Sequence, residues 1–402
     1  MGRPMLSLAM IVRDEEERLG RCLTSVQGFC DELLVLDTGS VDGTRQVAEA
    51  AGARVEELPW PGDFAPARNA SLERVQGDWV LVLDADEVLL QDARAPLQAL
   101  MAQPDVLVIN LLRFEDGAQQ SPYSSVSRLF RRHPALRWNR AYHSSIDDSV
   151  IALRQLEPHW RVVDCSEPAL VHDGYRPDRL AAGDKGRRLR EAMEAELRER
   201  PGDPYACAKL GGLEVSEGDR ERGLALLRQG LAHCPADASA ERYELELHLA
   251  IALADDAPDE AERHYRAALA LPLAPRLSLG ARLNLGALLL RRGRLEEAAE
   301  LTGTATRVAP ELALGWYNLG LIRRKAGDLA GALEAYETAV ALAPRNPEIH
   351  QNRGAAQLLG GNLDAARDSF LTAIGLLVQQ DRHQEAEDLA RRAGELVRLD
   401  AA

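Results

Sequence analysis

The chain has 402 residues, of which 46% are hydrophobic and 28% charged, so it can bury a sizeable core and is not disordered throughout. Its 48 basic and 63 acidic residues leave a net charge of −15, which argues against a basic surface that binds nucleic acid or an anionic membrane. No stretch reaches the roughly 18 apolar residues of a membrane span, and the five scattered cysteines form no Cys-x-x-Cys pair, so we expect a reduced, cytoplasmic protein without a membrane span.

Residues 1–180 alternate short apolar runs with helical patterns. Such alternation is typical of an α/β domain with a parallel sheet, and we assign residues 1–180 to one. A ligand of this domain should bind at the carboxyl ends of the strands. The apolar runs are Leu6–Val12, Leu33–Leu36, Trp79–Leu83 and Val106–Leu112, and the helical patterns are Glu15–Val26 and Thr44–Ala51.

The second apolar run ends in the segment Asp37-Thr38-Gly39-Ser40-Val41-Asp42-Gly43-Thr44. A carboxylate at a strand end, such as Asp37, can accept hydrogen bonds from a ribose or a base, and the glycines permit a tight turn. Asp42 or Thr44 could also cap the following helix. An ordinary connection between a strand and a helix therefore explains the segment equally well.

The third apolar run is followed directly by Asp84-Ala85-Asp86-Glu87. Because side chains alternate along a strand, we expect Asp84 and Asp86 to point the same way and to share one divalent cation. The alternative is a solvated strand end before a helix N-terminus, where acidic residues are also favoured. Upstream, Arg68 begins a helical run, where it could clamp a phosphate, and Asn69 follows it.

The C-terminal half repeats every 34 residues. Gly286, Gly320 and Gly354 keep this step, and the clearest unit, from Trp316 to Pro344, resembles a tetratricopeptide repeat. We predict a linker helix over residues 181–203, about five repeats forming an all-α solenoid over 204–380, and a capping helix over 381–402.

The N-terminal segments together resemble a family-2 glycosyltransferase of the GT-A fold. The resemblance covers most of residues 5–175 and includes Met10 to Glu16, the turn from Asp37 to Thr44, the Trp60 to Asn69 stretch and the strand that leads into Asp84-Ala85-Asp86-Glu87, all in the order of the family. Similar bacterial enzymes, the bacteriocin S-glycosyltransferases among them, carry tetratricopeptide repeats after the transferase domain.

The resemblance implies a nucleotide-sugar donor, usually a UDP-sugar, held with Mn²⁺ or Mg²⁺ and attacked with inversion of the anomeric centre. In this family Asp37 would contact the nucleoside, Asp84 the ribose or a metal-bound water, and Asp86 the metal. His172, in Val171-His172-Asp173-Gly174, stands where family members often have a histidine that reaches the metal or the diphosphate. The implied donor-binding set is Asp14, Asp37, Asp42, Arg68 and Asp84, and the implied metal ligands are Asp86 and His172.

The catalytic base departs from the family pattern. Relatives tend to have His-Glu after an Arg-Leu-Phe-Arg segment, whereas here Arg128 to Arg131 is followed by His143-Ser144. His143 or a nearby acid, Asp147 or Asp148, could serve instead, or a thiol acceptor could need less help from a base. Loss of activity is a further alternative, and the two acids could simply belong to a solvated turn.

The acceptor is expected to be a protein or a peptide, because repeats of this type commonly bind extended polypeptide. Asn284, Asn318 and Asn352 recur every 34 residues and are the candidate acceptor-binding side chains, although they could also be helix-packing residues. Two other functions stay open from the sequence: transfer to a cell-envelope saccharide or lipid-linked intermediate, and a non-catalytic adaptor role. Solenoids can also pair through an apolar edge, so a homodimer is open as well.

Overall fold

The computed structural model describes residues 3–118, 121–140, 144–174 and 185–397. Tertiary contacts divide the chain into two compact units, Met1–His248 and Leu249–Ala402. The first unit therefore contains the predicted α/β domain together with the first helices of the repeat region. The domain limits at residues 180, 203 and 380 remain predictions.

An eight-stranded mixed sheet forms the centre of the first unit, in the order β3-β2-β1-β4-β7-β6-β8-β5. Strands β3, β2, β1 and β4 are parallel, β7 is antiparallel to both of its neighbours, β6 and β8 are parallel, and β5 is antiparallel to β8. The expected parallel sheet is thus present only in part. The strands are β1 Leu6–Val12, β2 Glu32–Asp37, β3 Arg54–Glu57, β4 Trp79–Val82, β5 Glu87–Leu89, β6 Val106–Glu115, β7 Tyr123–Arg131 and β8 Arg161–His172.

Both faces of the sheet are covered. Along β1, Leu8 and Met10 belong to the core on one face, and the intervening Ala9 belongs to the core on the other. Burial on both faces explains why the central strands appear as continuous apolar runs. The helices of this part are α1 Glu16–Val26, α2 Thr44–Ala50, α3 Phe64–Leu72, α4 Arg94–Met101, preceded by a 3-10 turn Gln91–Ala93, and α5 Asp147–Leu156.

The strand register brings two of the predicted acids to one edge of the sheet. Val12 at the end of β1 pairs with Asp37, and Ala9 of the same strand pairs with Val82, two residues before Asp84. Asp37 and Asp84 therefore leave the carboxyl ends of the two strands that flank β1. Their backbones lie roughly 10 Å apart across the sheet, at two strand spacings.

The remaining described helices form consecutive pairs. A single helix, α6 Lys185–Glu199, precedes five pairs, and a last helix follows them, as expected for a tetratricopeptide solenoid. None of the described helices is long and apolar enough to cross a membrane. The pairs are α7 Pro204–Glu217 with α8 Arg220–His233, α9 Ser239–Leu253 with α10 Pro258–Leu269, α11 Leu279–Arg291 with α12 Leu295–Val308, α13 Ala313–Lys325 with α14 Leu329–Leu342, and α15 Pro347–Leu359 with α16 Leu363–Gln379; α17 His383–Gly394 is last.

Close helix contact in the clearest repeat depends on one small residue. A Cβ added at Gly320 of α13 would lie 2.5 Å from the ring of Tyr336 on α14, which is fully buried. The glycine lets the aromatic ring fill the space between the helices, as the repeat pattern predicts.

Candidate active site

Asp84 is clamped by two arginines. Its Oδ1 accepts a hydrogen bond from Arg68 of α3 at 2.8 Å, and its Oδ2 accepts one from Arg128 of β7 at 2.7 Å. Both guanidinium groups lie over the ring of Trp138, at 4.8 and 5.9 Å from its centroid. Burial alone would raise the pKa of Asp84, but the charges of Arg128 and Arg68 outweigh it and hold that pKa well below its usual range.

Arg128 is a site residue that the sequence analysis missed. The register between β6 and β7 shifts so that Ile109 pairs with Leu129 but Leu111 pairs with Val126, which leaves two residues of β7 opposite one of β6. Such a bulge re-aims side chains. It lets Arg128 reach Asp84 while the preceding Ser127 reaches Asp147.

Asp86 belongs to a second cluster around His172. The Nε2 of His172 lies 3.3 Å from Oδ2 of Asp86, and its Nδ1 lies 2.6 Å from Oε2 of Glu115. Burial would lower the pKa of His172, but the hydrogen bonds to Asp86 and Glu115 raise it to about 9. Burial likewise opposes ionisation of Glu115, yet the hydrogen bond from His172 and the charge of Arg113 lower its pKa to about 2.

Arginines balance the remaining buried carboxylates. Arg113 of β6 donates to Glu115 at 2.8 Å and to the fully buried Glu87 at 2.5 Å, and Glu87 accepts the backbone N–H of Asp84 at 2.9 Å. From the sequence, Asp84 and Asp86 were expected to share one divalent cation. In the structure, protein cations offset these charges, and Arg113 and Glu115 are further residues that the sequence analysis missed.

Asp84 and Asp86 lie in a turn and not in a strand, contrary to expectation. Strand β4 ends at Val82, and the N–H of Glu87 donates to the carbonyl oxygen of Asp84 at 3.0 Å, which closes a turn. The two carboxylates consequently have different partners. Only Asp86 is in contact with His172.

The pair of Asp86 and His172 fits two ligands of one divalent cation. Adjacent ligands with bonds of roughly 2.1 Å lie about 3 Å apart around an octahedral ion, close to the observed 3.3 Å. A metal-binding histidine is usually oriented by a carboxylate at its other ring nitrogen, and Glu115 occupies that position at Nδ1 of His172. A Cβ at Gly174 would lie 2.4 Å from Nε2, so any larger residue there would displace the imidazole ring.

In the described part of the chain, no group of three or more His, Cys, Asp or Glu side chains could hold a metal ion by itself. A cation at Asp86 and His172 would therefore complete its coordination with oxygens of water or of a ligand. This incomplete protein coordination is typical of Mg²⁺ sites that bind together with phosphate.

The other predicted donor residues lie in the turns at the ends of β1 and β2. The carboxylate of Asp37, 3% exposed, accepts the N–H of Ser40 at 3.2 and 3.3 Å. Asp14, with a left-handed φ of 54°, accepts the N–H of Val41 at 2.9 Å. Asp42 accepts the N–H of Glu16 at 3.1 Å and that of Thr44 at 3.0 Å, so it joins the starts of α1 and α2.

The candidate base residues lie near the start of α5. Asp147 is exposed in the first turn of this helix and accepts the hydroxyl of Ser127 at 2.8 Å. His143 lies outside the described residues. The neighbouring Ser144 is buried, and its Oγ accepts a hydrogen bond from Arg68 at 3.0 Å.

The candidate acceptor asparagines are half-buried on the first helices of three successive pairs. Asn284 and Asn352 each donate to the carbonyl oxygen four residues earlier, at 2.8 and 2.9 Å. Asn352 also donates to the hydroxyl of Tyr317 at 3.1 Å and accepts from Arg324 at 3.3 Å. Polar groups thus link at least two adjacent repeats on this side.

Comparison with known proteins finds matching families for both halves of the chain. Residues 7–161 match the family model described as glycosyl transferase family 2, while residues 249–311 and 321–361 match models described as tetratricopeptide repeat and TPR repeat. A Synechococcus elongatus protein named TPR repeat-containing protein is 44% identical over 306 residues, which cover 76% of this chain and 76% of that protein.

Two further similarities each cover one half of the chain or less. A Rickettsia bellii protein named uncharacterized glycosyltransferase is 26% identical over 186 residues, which cover 44% of this chain and 63% of that protein, so the chain spans less than two thirds of this relative. The solved structure of YrrB, described as a TPR protein with an unusual peptide-binding site, is 18% identical with a TM-score of 0.39 and covers 50% of this chain and 99% of YrrB.

Proposed function

Because the chain belongs to glycosyl transferase family 2 and carries tetratricopeptide repeats, we propose that it transfers a sugar from a UDP-sugar to a protein or peptide acceptor, with inversion and with Mn²⁺ or Mg²⁺. The observation that carries the metal-dependent part is the contact of Asp86 with His172, oriented by Glu115. When bound there, a divalent cation would stabilise the negative charge of the departing nucleoside diphosphate.

The donor would lie along the carboxyl edge of β1, β2 and β4. Asp37 on one side of β1 would contact the nucleoside, with Asp14 and Asp42 shaping the turn beside it. Asp84 on the other side would contact the ribose or a metal-bound water. Arg68 and Arg128 supply two positive charges next to this position, where the diphosphate of the donor would be neutralised.

Transfer by direct displacement needs only one proton transfer from the acceptor. The acceptor nucleophile forms a bond to the anomeric carbon while the bond from that carbon to the diphosphate oxygen breaks, and a base takes the proton of the nucleophile. His143 and Asp147 are the proposed bases. Asp147 follows Ser144, which contacts Arg68, so the start of α5 lies close to the donor arginines.

A protein or peptide acceptor is supported by the repeat region. Extended chains are commonly bound by the side chains that successive repeats present on one surface. Asn284, Asn318 and Asn352 recur on equivalent helices, and the hydrogen bond between Asn352 and Tyr317 shows that side chains of adjacent repeats meet there. We assign these asparagines to acceptor binding.

Calorimetric titration of UDP with and without Mn²⁺ tests the donor site. We expect binding that depends on Mn²⁺ and that Asp86→Ala abolishes, a larger effect than the roughly 10- to 100-fold loss typical of an outer-shell partner. Asp92→Ala, an exposed acid six residues further on, is the matched control and should bind like the wild type. Retained binding by a folded Asp86→Ala variant would reject the metal site.

Incubation of the chain with labelled UDP-hexoses and cell lysate tests the acceptor class. Label in protease-sensitive material supports a protein or peptide acceptor. Label only in saccharide or lipid would replace that proposal with a cell-envelope acceptor. Binding of donor without any transfer would favour the adaptor role.

A further inference from the structure

Between β7 and α5, the described loop residues 132–140 and 144–146 contact the donor arginines Arg68 and Arg128. The backbone of Trp138 exchanges two hydrogen bonds with the side-chain amide of Asn69, at 2.8 and 2.9 Å, and its buried indole ring lies under Arg68. Six residues further on, Ser144 accepts from Arg68 at 3.0 Å. The position of this loop therefore determines where the guanidinium group of Arg68 lies.

The outer side of the same loop contacts the first helix pair of the repeats. Arg140, two residues after Trp138, donates through both terminal nitrogens to the two carboxylate oxygens of Asp203, at 3.2 and 3.4 Å. Its guanidinium also lies 5.3 Å from the ring centroid of Tyr205 on α7. A planar, two-point contact of this kind restrains orientation as well as distance.

The backbone at Arg140 indicates that the contact holds the loop in a specific shape. Arg140 has a φ of 69°, in the left-handed region that non-glycine residues enter only when their surroundings hold them there. On either side, the N–H groups of Asn139 and Ser145 donate to each other's carbonyl oxygens at 2.8 and 2.9 Å. Arg140 therefore lies beside a residue pair that joins the two described parts of this loop.

Asp203 is also the N-terminal cap of the first repeat helix. Its carboxylate caps α7 by accepting the N–H of Ala206 at 2.9 Å, and Pro204 occupies the first turn of that helix. The preceding Gly202 has a φ of 80°, and a Cβ there would lie 2.9 Å from the ring of His233 on α8. One carboxylate thus joins the first repeat to the loop that packs on the donor arginines.

We propose that Arg140 is a positioning residue. Through its ion pair with Asp203, the first helix pair of the repeats fixes the loop that contacts the donor arginines and so contributes to the active site. The first pair then holds residues 132–140 and 144–146 so that Trp138 and Ser144 keep their contacts with Asn69 and Arg68, which in turn binds Asp84. This inference rests on the proposed transferase function, because the donor arginines matter only if a donor binds. It also agrees with the compact unit, which extends to His248.

The test uses substitutions that remove the ion pair and spare the backbone. Arg140→Asn keeps a residue that tolerates the left-handed conformation, and Asp203→Asn keeps an equally good helix cap. Asp219→Asn is the matched control, because Asp219 caps α8 in the same way by accepting the N–H of Arg222 at 3.0 Å and is not bonded to Arg140. Each full-length variant is compared by amide hydrogen exchange and by release of UDP from UDP-hexoses with Mn²⁺.

We expect Arg140→Asn and Asp203→Asn to lower the protection of the Asn139 and Ser145 amides by about 10-fold or more, while Asp219→Asn leaves it unchanged. The same two variants should lower kcat by about 10-fold with little change in the donor KM, since a displaced loop misaligns reacting groups without removing a donor contact. Arg140→Lys, which keeps the charge and loses the two-point contact, should lie between them and the wild type.

Equal protection in Asp203→Asn and Asp219→Asn would overturn the proposal, as would lost protection with an unchanged kcat. Failure of the proposed function has a different signature. In that case the wild-type chain binds no UDP in the presence of Mn²⁺, whatever the exchange of the loop.

Discussion

Asp84 and Asp86 lie two residues apart in one turn, yet their carboxylates bind different cations. Asp84 is held by Arg68 and Arg128, and Asp86 contacts the imidazole ring of His172. The turn after β4 therefore gives the two carboxylates different partners. In the proposed function, Asp84 holds the arginines beside the diphosphate of the donor, and Asp86 would be a ligand of the divalent cation.

Glu115→Gln is predicted to weaken Mn²⁺ binding by roughly 10- to 100-fold. The amide removes the negative charge that fixes His172 through Nδ1 at 2.6 Å. Electron paramagnetic resonance of free Mn²⁺ measures the affinity without requiring turnover. Ser124→Ala is the control, because it also loses a contact with Glu115 but keeps the carboxylate. Wild-type affinity in Glu115→Gln would show that Glu115 does not orient a metal ligand.

Gly174→Ala is predicted to lower Mn²⁺ affinity by about 10-fold or more, since small misplacements of a site group have effects of this size. The added Cβ would lie 2.4 Å from Nε2 and 2.6 Å from Cε1 of His172, so the ring must move. Gly20→Ala in α1 is the control, because its nearest neighbour would be Val47 at an ordinary 3.5 Å. Isothermal titration with Mn²⁺ distinguishes the two; equal affinities would contradict the prediction.

Glu214→Gln is predicted to destabilise the first unit at pH 7 by about 1–3 kcal/mol, the range for hydrogen bonds to charged groups. The buried carboxylate accepts from Arg190 of α6 at 2.8 Å, from Arg222 of α8 at 3.2 Å and from the N–H of Asp219 at 3.1 Å. The hydrogen bond from Arg190 is the main cause that lowers the pKa of Glu214 below the ordinary 4.5.

The sign of the pH dependence follows from that lowered pKa. The folded state binds a proton at Glu214 less readily than the unfolded state, so the stabilisation is present above pH 4.5 and is lost as the pH falls through the folded-state pKa. Urea unfolding of the wild type and Glu214→Gln should therefore converge below pH 4.5. Glu221→Gln, an exposed acid of α8, should show no such convergence, and a constant gap for Glu214→Gln would refute the linkage.

Gly320→Ala is predicted to destabilise the second unit by about 1–3 kcal/mol through overpacking. Its Cβ would lie 2.5 to 2.9 Å from three ring atoms of Tyr336, which is fully buried. Gly375→Ala, inside α16, meets no atom within 4 Å and should instead stabilise by up to about 1 kcal/mol through helix propensity. Urea unfolding of both variants checks the opposite signs, and equal shifts would contradict the packing argument.

The family, the enzyme class and the two-part fold predicted from the sequence are confirmed. The order of the family motifs and the 34-residue repeat depend only on the sequence, so both can be recognised without a structure. Asp37, Asp84 and Asp86 were identified because each follows an apolar strand. The strand alternation on which their expected common direction rested does not apply, because the backbone turns at Asp84, and the two carboxylates contact different partners.

Arg113 and Glu115 could not be chosen from the sequence, because each is one charged residue in an ordinary strand. Arg128 begins the Arg-Leu-Phe-Arg segment of the family pattern, but its contact with Asp84 was not predicted. All three reach the site only through pairings between distant segments. Glu87 pairs with His172 across β5 and β8, and Glu115 pairs with the same histidine across β6 and β8. No spacing along the chain encodes that convergence.

By itself, the sequence determined what depends on neighbours along the chain: the strand runs, the acids at their ends, the helical repeat and the family. Only the tertiary structure decided which charges meet. The bulge at Ser127 and Arg128 re-aims two side chains across the sheet. The contacts of His172 with two carboxylates and the ion pair of Arg140 with Asp203 join residues at least 40 positions apart. Electrostatic energy depends on distance in space, and that distance is set by how the elements pack.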